Sequence, residues 1–517
     1  MAEIIREGSE KEFGWGPGVL IGLVGGLYLV WAFSMPPKWA YTLYLVALAP
    51  FLVVQIGHIE RILLFLLVLA IPFVFSKQVV TGLELPEHQM HQGGPTGFVV
   101  SLVDLCVLGL LLAAFLRGYS RSRQAMQRAR PRGYLPLTWW VLLMLGASAL
   151  SLIHARDRVL VLYELVHFGQ MLMIYFLFVY LLNTRRRLNL VVAAILLGMI
   201  AQGLIATAQM AKGGPLGLEF FGEGEQLETL ELGRHDELSM RAGGTVGHPN
   251  CLATYLGLTV PVAFALLFAK LKSRTKYATI AALVLGLSAI VMTQSRGSWV
   301  GLAFSTATVL WLCHRYKLVS PRVFFAFVMG GVLVAVIMAL VFAPMIYNRW
   351  FGSQPEAVDH RFELIDISWE VIKAYPIFGC GYNNFTEVMM EHNYTALPDA
   401  IKVPVHNVFL LTLAEWGIVG FIVFGFFVIY LIKTGVYVIK HGREMERLVV
   451  VGILAAYLAM LVHNLFDFTY RLDAVMRLFW VYAGIIGGLR LSIGAESRTR
   501  PAPLEEPASR SPAPVSG

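Results

Sequence analysis

Residues 185–212 read RRRLNLVVAAILLGMIAQGLIATAQMAK. Three arginines stand before a run that carries no charge from Leu188 to Ala211. A bilayer-spanning helix needs about 20 consecutive apolar residues, so this stretch predicts a membrane span with a basic loop at its head. The same pattern recurs along the chain. Fourteen spans are expected, near 18–35, 39–56, 61–80, 97–116, 137–153, 159–182, 188–211, 251–269, 277–293, 299–313, 323–347, 405–432, 448–465 and 475–491. Composition agrees: 57% of the 517 residues are hydrophobic and only 14% are charged, against about 25% charged in ordinary soluble domains. Mean hydropathy is +0.67.

The loops set the expected orientation. Basic clusters occur at Arg117–Arg132, Arg185–Arg187, Lys270–Lys276, Arg315–Arg322 and Lys433–Arg447, in every second loop of the count. The positive-inside rule places all five in the cytoplasm, with both termini. The net charge of +8 is thereby used by topology and does not point to nucleic acid. Met1 to Gly16 mixes Glu3, Glu7, Glu10 and Glu12 with basic residues and precedes no small-residue cleavage site, so the first run reads as a retained span. Cys106, Cys251, Cys313 and Cys380 have neither metal-ligand spacing nor a disulfide framework. The expectation is an all-α membrane helix bundle of about 12–14 spans. It comprises N-terminal helices over 1–242, a core over 243–490 and a disordered cytoplasmic tail over 491–517.

Two expected external loops are long: the acidic Lys212–Asn250 and Asn348–Pro404. In the second, Phe362, Ile365, Trp369 and Ile372 recur at helical spacing. Asp359 reads as an N-cap, with Pro376 and Gly379 as stops. This predicts an amphipathic helix from Arg361 to Tyr375 on the outer membrane surface or over a cavity.

Arginines on the external side need a reason. Arg156 and Arg158 flank Asp157 and read as helix-end caps. Arg296 lies in Gln294-Ser295-Arg296-Gly297-Ser298 between two apolar runs. A guanidinium at that depth either pairs with a neighbouring carboxylate or serves a site. Arg241 precedes the Gly-rich Gly243–Asn250, which opens a helix. Helix starts and arginine both attract phosphate, but glycine-rich loops often only turn the chain. His406 begins the twelfth span; it is either a hydrogen-bonded structural residue or a general base. Glu415 is nine residues on, on the opposite side of a regular helix, and is a poor partner. His463, Asp467 and Arg471, spaced by four, form one stripe if the thirteenth helix continues that far. No Walker loop, dinucleotide fingerprint or metal motif is present.

The order of these pieces resembles the O-antigen ligase/polymerase superfamily of bacterial membrane glycosyltransferases. The resemblance covers about Gly243 to Asp467. It rests on Gly243-Gly244 through Pro249-Asn250, then Gln294-Ser295-Arg296-Gly297, then Arg361 through Pro376 with Gly379–Phe385. His406-Asn407 with Glu415-Trp416-Gly417, and His463-Asn464, complete it. It implies transfer of a glycan from an undecaprenyl-diphosphate carrier to an acceptor hydroxyl at the periplasmic face of the inner membrane, without metal or cofactor. It also implies that Arg241 and Arg296 bind the diphosphate and that His406 acts near the acceptor hydroxyl as base. Arg361, Asp467, Asn407, Ser295 and His463 are implied as substrate-binding or supporting residues. Polymerisation, ligation to lipid A-core and attachment to protein share that donor and differ in acceptor, which this sequence does not encode legibly. Two other classes compete. A secondary transporter would use the outward arginines as an anion pathway, yet no inverted repeat is found. A non-catalytic scaffold would leave Arg296 and His406 without a purpose.

Overall fold

A computed structural model describes residues 56–81, 94, 97–120, 136–182, 184–224, 229–232, 237–351, 356–395, 397–398 and 402–499. The first expected span, and the second up to its last residue, lie outside these residues, as does the tail beyond 499. The chain forms two compact units. One comprises 1–62 with 111–126, and its described part is only the start of α1 (Ile56–Ala70) and the end of α2 (Leu102–Ser120). The other, 63–110 with 127–517, holds every other element.

That larger unit is a helix bundle. Its helices are α3 (Pro136–Leu150), α4 (Arg158–Leu181), α5 (Arg185–Lys212), α6 (Pro249–Leu266), α7 (Ser273–Met292), α8 (Arg296–Arg315), α9 (Pro321–Val341), α10 (Ala343–Phe351), α11 (Glu356–Ala374), α12 (Val408–His441), α13 (Glu444–His463) and α14 (Asp473–Thr499). Among the described residues, eight helices are long and apolar enough to cross a membrane, and Leu102–Phe115 and Leu137–Ile153 are shorter apolar segments. The architecture is an all-α polytopic membrane bundle. Two small hairpins add to it: β1 (Ser76–Thr81) with β2 (Gly97–Ser101), and β3 (Thr229–Leu232) with β4 (Glu237–Met240), both antiparallel.

Local chemistry sets the helix ends. Asp157 caps α4 by accepting from the backbone N–H groups of Val159 and Leu160. Thr184 caps α5, whose end is closed by Gly213 in the left-handed conformation. α6 and α9 each open on proline, where the missing N–H has no helical partner to lose.

Two expected spans are corrected: the run at 97–116 is helical only from Leu102, its first five residues forming β2. The run at 61–80 is not a full-length helix: α1 stops at Ala70, and the chain turns through Pro72 into β1, which carries Lys77 and pairs with β2. A hairpin that satisfies its own backbone replaces the last turns of a helix that would have carried that ammonium into lipid.

α6 is the central post, packed on α13, α8, α7 and α14, while α4 lies along α14 and α3 along α12. α6 and α13 run antiparallel. The start of α6 meets the end of α13 through Thr254 and His463, and beyond the other end of α6 the Lys270 N–H donates to Glu444. Arg447 at that same end donates to the Tyr316 carbonyl. The basic loops around 270, 316 and 443 therefore meet at one end of the bundle, and the Arg241, Arg296 and His463 segments at the other.

The segment between α10 and α12 carries a core of its own, in which Leu364, Ile367 and Val371 of α11 pack with Cys380, Phe385, Met389, Leu397, Val405 and Leu411. The expected helix exists, and two details of it differ. It begins three residues before Asp359, which is therefore inside the first turn and not its cap. Phe362 and Trp369 point outward, 63% and 45% exposed. The loop core takes Ile372 from the expected stripe, with Ile365 packed against it, and otherwise uses the adjacent Leu364, Ile367 and Val371, because α11 has apolar residues on two faces.

Candidate active site

The site is assembled from helix ends. The loop before α6 brings Arg241 into the interior, 3% exposed. Its Nε donates to the Thr293 carbonyl (2.9 Å) and one Nη to Asn250 Oδ1 (2.7 Å). Asn250 Nδ2 donates to Asp467 Oδ2 at 2.6 Å. Arg241, Asn250 and Asp467 are thus one chain from the loop before α6 to the turn after α13. The Ala242 N–H donates to the Met292 carbonyl and Gln294 Nε2 to the Met240 carbonyl, which straps that loop to the end of α7.

His463, the last residue of α13, is buried between two hydroxyls. Its Nδ1 lies 2.7 Å from Thr254 Oγ1 and its Nε2 3.2 Å from Ser295 Oγ. Thr254 gives its only hydroxyl proton to the Asn250 carbonyl. With Nδ1 donating to Thr254, neutral Nε2 accepts from Ser295, a tautomer that satisfies both hydroxyls. Ser295 is the residue before α8, and its hydroxyl goes to the histidine and not to the helix N–H groups. Gly297 sits directly against this ring: a Cβ there would come within 2.8 Å of His463 Cδ2. The glycine of the Ser-Arg-Gly turn is therefore required by a side chain of the protein itself.

Arg296 opens α8 with its guanidinium 6.0 Å from the Trp350 ring centroid on α10. Arg349 Nε donates to the Gln294 carbonyl, which holds α10 over the turn. Among the described residues no carboxylate reaches Arg296. Arg361 of α11 donates weakly to the Phe466 carbonyl (3.4 Å) and also has no carboxylate partner among them. The two guanidiniums repel each other electrostatically. Two arginines in mutual repulsion beside the start of α8, whose first N–H groups receive no side-chain cap and carry partial positive charge, make a strongly anion-attracting corner.

His406 lies in the loop leading into α12. Its ring stands edge-on to Phe468 at 5.4 Å, and its Nδ1 is enclosed without a partner among the described residues. Burial, together with the nearby charges of Arg361 and His248, holds its pKa below the ordinary histidine value, against the opposing pull of Asp467. A neutral imidazole beside a cationic corner is a base in its proton-accepting form. Asn407 caps α12, accepting from the Phe409 and Leu410 N–H groups and donating to the Leu465 carbonyl.

Residues 281–425 match the O-antigen ligase family model. The matched segment, 145 of the 517 residues, contains Ser295, Arg296, Arg361, His406 and Asn407. Arg241, His463 and Asp467 lie outside it and reach it by the contacts above. The match supports glycan ligase or polymerase activity in general terms. No curated protein matches the chain in sequence.

One expected constellation is not formed. His463, Asp467 and Arg471 do not share a helical stripe, because α13 ends at His463 and Asn464 begins a turn that sends Arg471 inward. Arg471 pairs with Glu415 and with Glu164 (2.8 Å), its guanidinium 4.3 Å from the Tyr382 ring centroid. Glu415 is thus a partner of Arg471 and not of His406. Arg156 pairs with Glu391, and the cap of α4 is made by Asp157 and not by the flanking Arg156 or Arg158 expected to cap helix ends.

Sequence reasoning missed the carboxylate at Glu164. It also missed a neighbouring cluster in which His167 Nε2 lies 2.8 Å from Asp473 and Arg477 reaches Asp473 (3.2 Å), Asp104 (3.3 Å) and Ser101 (2.6 Å). The available signal was Glu164 and His167, three apart inside an otherwise apolar span.

Proposed function

We propose that the chain is a bacterial inner-membrane glycosyltransferase that moves or polymerises a glycan from an undecaprenyl-diphosphate carrier onto an acceptor hydroxyl at the external face. The carrying observation is the corner where Arg296 and Arg361, lacking carboxylate partners among the described residues, meet the uncapped start of α8 and a histidine kept neutral, inside the matched segment. The gathering of basic loops at the opposite end of the bundle supports the assignment of this corner to the external side.

In this reading Arg296, Arg361 and the uncapped N–H groups at the start of α8 hold the diphosphate. Arg241, buried behind them, adds positive charge and fixes Asn250. His406 accepts the proton of the acceptor hydroxyl as its oxygen attacks the anomeric carbon. The bond from that carbon to the diphosphate oxygen breaks, and the departing charge is met by the arginines. Direct displacement inverts the anomeric centre. His463, fixed by Thr254 and Ser295, holds the ends of α13 and α8 in register beneath the corner. The supply of cationic side chains supports a metal-independent reaction.

The test is transfer from a synthetic undecaprenyl-diphosphate-linked donor by purified protein in nanodiscs containing EDTA. Wild type is expected to transfer, and Arg296→Ala and His406→Ala to lose transfer while still folded. Transfer that needs a divalent metal, or that survives both substitutions, overturns this mechanism. Absence of donor binding, with anion uptake into proteoliposomes, replaces it with a transporter.

A further inference from the structure

His248 stands immediately before Pro249, the first residue of α6. It is exposed, and it lies outside the segment matched by the family model. The glycine-rich turn delivers it. Thr245 in that turn is pinned by Gln202 and by the Pro72 carbonyl, and Gly247, φ 82°, takes the left-handed conformation. The turn is tight, since a Cβ at Gly243 would stand 3.5 Å from the His248 backbone nitrogen. Pro249 has no N–H, so the Asn250 N–H is the first that α6 offers, and it donates to His248 Nδ1 (3.1 Å). An imidazole nitrogen accepts only when it carries no proton. The neutral ring that caps α6 therefore has its proton on Nε2.

This ring stands among the groups of the arginine corner. Asn250 accepts from Arg241 and donates to Asp467. Phe468, the next residue, is edge-on to the His406 ring, and the Val408 N–H reaches the Asp467 carbonyl (3.1 Å). His248 and His406 thus flank the same turn after α13, near enough that protonation of His248 opposes protonation of His406. A cap alone is better made by Asn, Asp or Ser, the preferred residues at this position. Histidine does more than cap. It takes the helix N–H on one nitrogen and presents a donor on the other, polarised by the first bond and by the positive end of α6. We infer that His248 is a further substrate-binding residue, whose Nε2–H donates to an oxygen of the carrier diphosphate. The inference rests on the glycosyltransferase reading for the identity of that ligand. The bond strengthens as charge builds on the departing diphosphate, so it acts on kcat more than on binding.

Two substitutions separate the roles of the two ring nitrogens. In His248→Asn the amide oxygen replaces Nδ1 and keeps the cap, while the donor at Nε2 is gone. In His248→Gln the longer amide sets a nitrogen where Nε2 was, and the cap is lost. Full-length protein in nanodiscs is measured for melting, for equilibrium binding of undecaprenyl diphosphate and for transfer. His248→Asn is expected to melt with wild type, to bind undecaprenyl diphosphate about tenfold more weakly and to lose roughly a hundredfold in kcat. His248→Gln is expected to melt lower and yet to retain more of the kcat. A role confined to capping gives the reverse order, with His248→Asn active and His248→Gln impaired, and that result overturns the inference. Transfer lost in Arg296→Ala but unchanged in His248→Asn also overturns it and leaves the transferase reading standing. Wild-type binding without transfer, weakened in His248→Asn, keeps the assignment of His248 and rejects the transferase reading instead.

Discussion

Replacing Arg471 by methionine removes the cation shared by two buried carboxylates. The Arg471 side chain is 6% exposed and those of Glu164 and Glu415 are 2% exposed, so water cannot take its place. Breaking a buried ion pair by deleting one partner costs about 3–5 kcal/mol. The lost contact with the Tyr382 ring adds up to about 2 kcal/mol. A loss on the order of 5 kcal/mol is a large part of a stability margin of about 5–15 kcal/mol. The protein supplies its own reporter, since Cys106, Cys251, Cys313 and Cys380 are free and buried. A thiol-reactive dye should therefore report unfolding and stay dark on the native state. Arg471→Met is expected to melt far below wild type. Combining it with Glu164→Gln and Glu415→Gln, which neutralises the orphaned carboxylates, should recover most of the loss. Equal melting of Arg471→Met and wild type, or no recovery in the triple variant, would refute the assignment of this triad as a structural clamp.

Burial, and then the charges of Arg361 and His248, hold His406 below the ordinary histidine pKa, about 6.5. Its neutral, proton-accepting form persists as pH falls through that value. The acid limb of kcat/KM should accordingly lie below it, and Arg361→Gln should move the limb upward; a downward shift would contradict the geometry. Gly297→Ala pushes a Cβ to 2.8 Å from the His463 ring. Such overpacking costs about 1–3 kcal/mol, visible as a lower melting temperature with transfer reduced. Arg296→Lys keeps the charge but loses the planar fork that matches phosphate oxygens. Donor KM is expected to rise roughly tenfold or more, from loss of about 1.5–3 kcal/mol of charged hydrogen bonding.

The spans were legible because a bilayer demands long apolar runs and leaves few alternatives. α4 to α9 and α12 to α14 lie where those runs are. The stretch at 61–80 failed because hydropathy does not register where Pro72 turns the chain or that β1 finds β2 as a partner. The stripe through His463, Asp467 and Arg471 was a correct periodicity on a helix that ended at its first member. In α11 the apolar pattern fits two faces, and only the fold of the loop selects Leu364, Ile367, Val371 and Ile372 over Phe362 and Trp369. Among the site residues, Arg296, Arg361 and His406 were visible as polar groups in an unexpected place. Glu164 was not, because its partner comes 307 positions later in the chain.

α12 is not one continuous helix. At Gly417, φ 63°, the backbone leaves the helical path, and residues 376–381 lie against the break. The Ile418 and Val419 N–H groups donate to the Pro376 and Ile377 carbonyls, while Cys380 and Gly381 donate to the Ala414 and Glu415 carbonyls. Gly379 and Gly417 permit the approach, since a Cβ at either would meet backbone at 2.2–2.3 Å. Lipid offers no hydrogen bonds to such a break. During biosynthesis α11 and the segment after it are made before α12, so the splint already exists when the broken span arrives. A chain missing residues 376–381 would insert α12 with bare backbone groups, a defect that membrane quality control can detect before any chemistry is attempted.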